Sequence, residues 1–157
     1  MAVRHNAVLD TRGPVPSSVT VSASLAAVVG GGTLFGLFYL AVSLFDPTGS
    51  DQVTTITTVL AIVQVTTGVL LLVGARRFAT GTGRGTLFTG GVMELLVCVA
   101  YGWYAVGEVA GDPQDGGVFF LFLGVPCGAA VMTVVSLILA LLPSAAAFAV
   151  RQSTRTR

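Results

Sequence analysis

Residues 53–84 read VTTITTVLAIVQVTTGVLLLVGARRFATGTGR. The first 23 of them, 53–75, contain no charged side chain. About 20 mostly apolar residues in helical form cross the roughly 30 Å of hydrocarbon in a bilayer. The run therefore predicts a membrane-spanning helix, and Arg76-Arg77 ends it at a water-facing side. Thr54, Thr55, Thr57, Thr58, Thr66 and Thr67 do not argue against this, because a threonine hydroxyl can bond back to its own helix carbonyls. Glycines at 81, 83 and 85 then separate this span from the next apolar run.

Working outward, three more stretches fit the same rule. Residues 19–45 and 117–142 are uncharged, and 86–107 carries one charge, Glu94. Turn-forming residues separate them. Asp46-Pro47-Thr48-Gly49-Ser50-Asp51 follows the first span, and Gly111-Asp112-Pro113-Gln114-Asp115-Gly116-Gly117 precedes the fourth. The expected fold is an all-α integral membrane protein, a four-transmembrane-helix up-down bundle. The whole chain, 1–157, reads as a single membrane domain with short tails at 1–18 and 143–157. Residues 144–150 are expected to run on as helix after Pro143 or to lie at the interface, since their alanines favour helix.

Composition agrees. Hydrophobic residues make up 54% of the chain, charged residues 10%, and mean hydropathy is +0.88. A soluble domain carries about 25% charged residues. There is no lysine, and eight arginines against seven acids leave a net charge of +1. That gives no basic stripe to track phosphates, which excludes nucleic acid as a partner.

The charges also sort by side. Arg4 and Arg12 precede the first span, Arg76, Arg77 and Arg84 lie between the second and third, and Arg151, Arg155 and Arg157 follow the fourth. In a four-span chain these segments share one face. The other two loops hold Asp46, Asp51, Asp112 and Asp115, with Glu108 at their edge, and no basic residue. By the positive-inside rule, both termini are expected in the cytoplasm. The first run is longer than a signal-peptide core of 7–15 residues, so it is expected to stay in the mature protein. Lysine-free, alanine-, valine- and glycine-rich usage suggests a high-GC bacterial coding sequence, and hence a bacterial inner membrane.

Lipid offers little apolar drive for helix association, so small residues that permit close approach matter. Gly30, Gly31, Gly32 and Gly36 give the first span a smooth face. It can meet a helix of the same chain or of another subunit, or soften the helix for motion. Pro126 removes a backbone donor in the fourth span and is expected to kink it, with packing or hinge roles both open. The expected partners are membrane lipids, with a homo-oligomer or another membrane protein as further candidates.

Two polar side chains lie deep in the apolar spans. Gln64 falls near mid-membrane and wants a partner, either as glue between helices or as a ligand in a cavity. Glu94 lies roughly 12 Å from the near end of its span, at 1.5 Å per residue. A carboxylate there is costly unless it meets water, finds a partner or stays protonated. Its donors are expected from Gln64 or the span threonines. Glu94, Cys98, Tyr101, Ala105 and Glu108 follow one another at spacings of four and three, which lines one side of the third helix. Glu94, Gln64, Tyr101 and Glu108 are thus the candidate proton, cation or polar-cavity residues. Trp103 and Tyr104 fit the interfacial aromatic belt.

No catalytic, cofactor-binding or metal-ligating set stands out. His5 is the single histidine, and Cys98 and Cys127 form no Cys-x-x-Cys pair. P-loop and dinucleotide fingerprints are missing, and so is a Ser-His-acid set. No cofactor is expected. The favoured role is a small non-enzymatic multi-pass protein that binds or organises a membrane partner or lipid. The competing role is an oligomeric small transporter or channel that uses Glu94 to bind a proton or cation.

Overall fold

The structure is a computed structural model that describes residues 15–44, 51–104, 106 and 116–155. Among the described residues there are five helices: α1 (Ser17–Leu44), α2 (Asp51–Ala79), α3 (Arg84–Tyr104), α4 (Gly116–Leu141) and α5 (Pro143–Arg155). The first four are long and apolar enough to cross a membrane. The chain is a multi-pass helical membrane protein. Its outward surface is apolar, with Phe35, Phe38, Val99 and Trp103 all highly exposed, as suits contact with lipid.

Local chemistry sets the helix ends. Arg76 and Arg77 sit in the last turn of α2, the arrangement that suits the helix dipole. The α2–α3 turn is closed by its own backbone. Gly81 N donates to Phe78 O at 2.9 Å and Thr82 N to Arg77 O at 2.8 Å. Gly81 and Gly83 have φ of 81° and 77°, a left-handed conformation that glycine adopts without a Cβ penalty. Pro143 opens α5 at the position where its missing N–H costs nothing. The segment from 143 is thus a separate helix after a break at Leu142, with Ala145 N donating to Leu142 O at 3.0 Å. α4 passes through Pro126 as one helix.

The four long helices form a ring in chain order. α1 packs on α2 and α4, and α3 packs on α2 and α4. Facing residues run in opposite senses: Gly30 meets Gly68 and Leu71, Gly74 meets Leu87, and Gly90 meets Leu71. The buried apolar core is gathered at one end. Val19, Ala23 and Ala26 of α1, Leu71, Ala75 and Phe78 of α2, Leu87 of α3, Ala140 of α4 and Ala145 of α5 belong to it. All lie toward the Arg76–Arg84 side of the bundle.

Polar contacts fasten the same end. Ser22 Oγ donates to Ser136 O at 2.9 Å, and Ser136 Oγ donates to Ser22 O at 2.9 Å. The two residues are almost fully buried. Ser18 and Ser144 hydroxyls meet at 3.0 Å one turn further out. The reciprocal Ser22–Ser136 bonds clasp α1 to α4 and satisfy both buried hydroxyls, and the Ser18–Ser144 contact ties α1 to α5.

Candidate functional site

Beyond the serine clasp, α1 and α4 border a cavity of about 510 Å³. α1 contributes Val28, Val29, Gly32, Thr33, Phe35, Gly36 and Phe38, and α4 contributes Val125, Pro126, Ala129 and Met132. α2 and α3 contribute Gln64, Glu94, Val97, Cys98 and Tyr101. The α1 and α4 residues Val28, Phe35, Phe38 and Val125 are strongly exposed, so the mouth opens sideways on the lipid-facing surface. The walls are mostly apolar, and Thr33, Gln64, Glu94 and Tyr101 bring the polar groups.

The glycines of α1 divide between two jobs because successive residues point about 100° apart on a helix. Gly30 faces α2, where an added Cβ would sit 3.0 Å from Gly68 O and 3.0 Å from Leu71 Cβ. Gly36 also faces α2: an added Cβ would sit 2.6 Å from Gln64 Nε2. Gly31 and Gly32 have nothing within 4 Å of an added Cβ. Gly32 lines the cavity. The smooth face of α1 is therefore used within the chain at Gly30 and Gly36, and its Gly32 edge is open.

The polar groups share one hub, Thr33. Its Oγ1 donates to Glu94 Oε1 at 3.0 Å and also lies 2.9 Å from Val29 O. Its backbone carbonyl accepts from Gln64 Nε2 at 3.0 Å. Gln64 Oε1 in turn accepts from Tyr101 OH at 3.0 Å. Cys98 Sγ lies 4.0 Å from Glu94 Oε1. The expected donors to Glu94 were Gln64 or span threonines. A threonine of α1 supplies the bond, and Gln64 reaches the same residue by its backbone.

Glu94 is 4% exposed, and its second oxygen, Oε2, has no hydrogen-bond partner. Thr67 and Thr133 also have buried hydroxyls without one. Sequence spacing placed Glu94, Cys98 and Tyr101 on one side of α3, and all three line the cavity. Ala105 and Glu108, the outer members of that line, lie outside the described residues, and so does the side chain of Tyr104. Trp103 is 84% exposed. Cys98 is a buried free thiol and Cys127 an exposed one. Among the described residues no three His, Cys, Asp or Glu side chains gather in a way that could hold a metal.

Thr33 and the Ser22–Ser136 pair are the contacts that residue-by-residue reading misses. Each is an ordinary small hydroxyl in an apolar run, and its importance comes from the helix it faces. The chain matches no known protein family, no curated protein and no solved structure. Its function has to be argued from this geometry.

Proposed function

We propose that the protein is a small non-enzymatic membrane protein that holds a lipid, or the apolar part of a lipid-like molecule, in the α1–α4 cavity. The observation that carries this reading is the cavity itself. It has about 510 Å³, mostly apolar walls, a mouth on the lipid-facing surface, and Thr33, Gln64, Glu94 and Tyr101 in its lining. Small-molecule sites have volumes of roughly 300–1,000 Å³, apolar linings and a few convergent polar groups. The competing transport reading draws on Glu94, yet the hydrogen-bonded chain from Glu94 through Thr33 and Gln64 to Tyr101 makes a poor proton relay. Its middle link is the Gln64 amide bonded to a backbone carbonyl, and neither group readily takes up and passes on a proton.

Gly32→Phe tests the reading. The added ring starts from a Cβ with nothing within 4 Å on a residue that lines the cavity, so it is expected to fill that space without disturbing the helix packing. Native mass spectrometry of the detergent-purified chain is expected to show co-purified lipid on the wild type. On Gly32→Phe the bound fraction is expected to fall at least about tenfold, the loss that goes with roughly 1.4 kcal/mol. Equal lipid on both proteins would refute the reading.

We also propose that Arg76–Arg84 and both chain ends lie on the cytoplasmic side of a bacterial inner membrane, following the arginine sorting. Single cysteines placed at 82 and at 154 in a Cys98→Ala/Cys127→Ala background should stay unlabelled by an impermeant maleimide in intact cells. Both should label after lysis. Labelling of either in intact cells would overturn the orientation.

A further inference from the structure

We propose that the outer groove between α1 and α2, at the arginine end of the bundle, binds an anionic phospholipid with the lipid phosphate on Arg76. This site is separate from the α1–α4 cavity and does not depend on that cavity holding a lipid.

The groove has a volume of about 330 Å³ and is formed by one face of each helix. Thr20, Ser24 and Ala27 line it from α1, and Leu72, Arg76 and Ala79 from α2. Both sets step by four and three, so each shares one side of its helix. The helices run antiparallel, with Gly30 against Gly68 and Leu71. Thr20 is therefore level with Ala79, and Ala27 with Leu72. Over the roughly 10 Å from Thr20 to Ala27 the lining changes from hydroxyl and guanidinium groups to purely apolar side chains. A phospholipid makes the same change from its phosphate to its acyl chains.

The polar groups in the groove select the head. Arg76, Thr20 and Ser24 are all exposed, and neither hydroxyl has a hydrogen-bond partner among the described residues. A guanidinium only donates, and each hydroxyl can donate once. Arg76 also lacks a counter-charge. The described acids are Asp51, at the opposite end of α2, and Glu94, which is buried against Thr33. Two neighbouring arginines are used within the chain. The Arg84 guanidinium lies over the Phe88 ring at 5.8 Å, and the Arg77 stem packs on Gly83. Phosphate supplies what the groove lacks, negative charge and several acceptors, and the arginine fork can hold it by two bonds. A choline or ethanolamine head would add a second positive charge where no described carboxylate can meet it. A head with no phosphate would leave Arg76 uncompensated. The occupant is thus a lipid of net negative charge.

The test is native mass spectrometry of the purified full-length chain in a neutral detergent, titrated with dioleoyl phosphatidylglycerol or dioleoyl phosphatidylcholine. The groove is open along its outer side, so its lipid exchanges with detergent and is supplied in the titration. Wild type is expected to bind the phosphatidylglycerol about tenfold more tightly, the effect of one charge-assisted hydrogen bond. Arg76→Gln should bind the two lipids alike. Arg77→Gln removes the same charge from a residue outside the groove and should keep the preference. Ser24→Phe fills the groove with every charge in place and should lose it. Gly32→Phe, directed at the α1–α4 cavity, should keep it.

Equal binding of the two lipids by wild type, or a preference that survives Arg76→Gln or Ser24→Phe, would overturn the site. Equal losses in Arg76→Gln and Arg77→Gln would show diffuse attraction to negative charge and would overturn it too. Loss of the preference in Gly32→Phe would assign the lipid to the other cavity. Displacement by an equal concentration of glycerol phosphate, a head without chains, would replace the lipid with a free anion and so overturn the proposal.

Discussion

Replacing Gly74 with leucine is expected to destabilise the bundle by about 1–3 kcal/mol, the usual cost of overpacking a close contact. An added Cβ there would sit 2.8 Å from both Cα and N of Leu87 and 3.2 Å from the Thr86 carbonyl carbon. These are backbone atoms of α3, so no side chain can swing aside. The contact is mutual. An added Cβ on Gly90 would lie 3.0 Å from Leu71 N, so α2 and α3 touch backbone to backbone over about one turn. Leu71 and Leu87 are buried in the core beside this crossing. Forcing the helices apart removes the close packing that holds membrane helices together. Gly85→Ala is the control, because its added Cβ meets nothing within 4 Å. SDS-induced unfolding in mixed micelles should show an earlier midpoint for Gly74→Leu and little change for Gly85→Ala. Matching midpoints for Gly74→Leu and wild type would show that the crossing is looser than described.

Thr33→Val should cost about as much, for a different reason. Valine keeps the shape and removes the one oxygen-borne donor that Glu94 has among the described residues. Oε2 already lacks a partner, and the Cys98 thiol at 4.0 Å is a weak substitute. The carboxyl group is then left buried with almost no hydrogen bonding, which costs about 1–3 kcal/mol. Interhelical hydrogen bonds in membranes average only about 0.6 kcal/mol when both partners can find others. An enclosed acid has fewer alternatives, so the effect should exceed that mean. The double substitution Thr33→Val/Glu94→Leu removes both polar partners and should recover most of the loss. The cycle is expected to return a coupling on the order of 1 kcal/mol or more. Additive losses in the same unfolding assay would mean that Thr33 and Glu94 do not depend on each other.

Hydropathy carried most of the architecture. The stretches 19–45, 53–75, 86–107 and 117–142 coincide closely with α1 to α4, because an uncharged run of that length has few other stable forms. Glu94, Cys98 and Tyr101, spaced four and three apart, all line the cavity, since sharing a side depends only on the turn of a single helix. What depended on two helices was harder to read. Gly30 packs and Gly32 does not, yet both sit in the same glycine run, and only the position of α2 separates them. Thr33 becomes the hub of the polar cluster because Gln64 of α2 and Glu94 of α3 both reach it. Threonines elsewhere in the spans look the same in the sequence. The cavity was the least legible feature. It is bordered by residues of all four long helices, and no residue on any one of them encodes it alone.

The reciprocal serines have a consequence for where a guest can come from. They close the α1–α4 seam over the half of the bundle nearest Ser17 and leave the opening in the other half. A molecule diffusing in the plane of the membrane would then reach Glu94 from one monolayer and find a sealed wall in the other. Exchange through such a gap is inherently one-sided, so occupancy would track the composition of a single leaflet and stay blind to its counterpart.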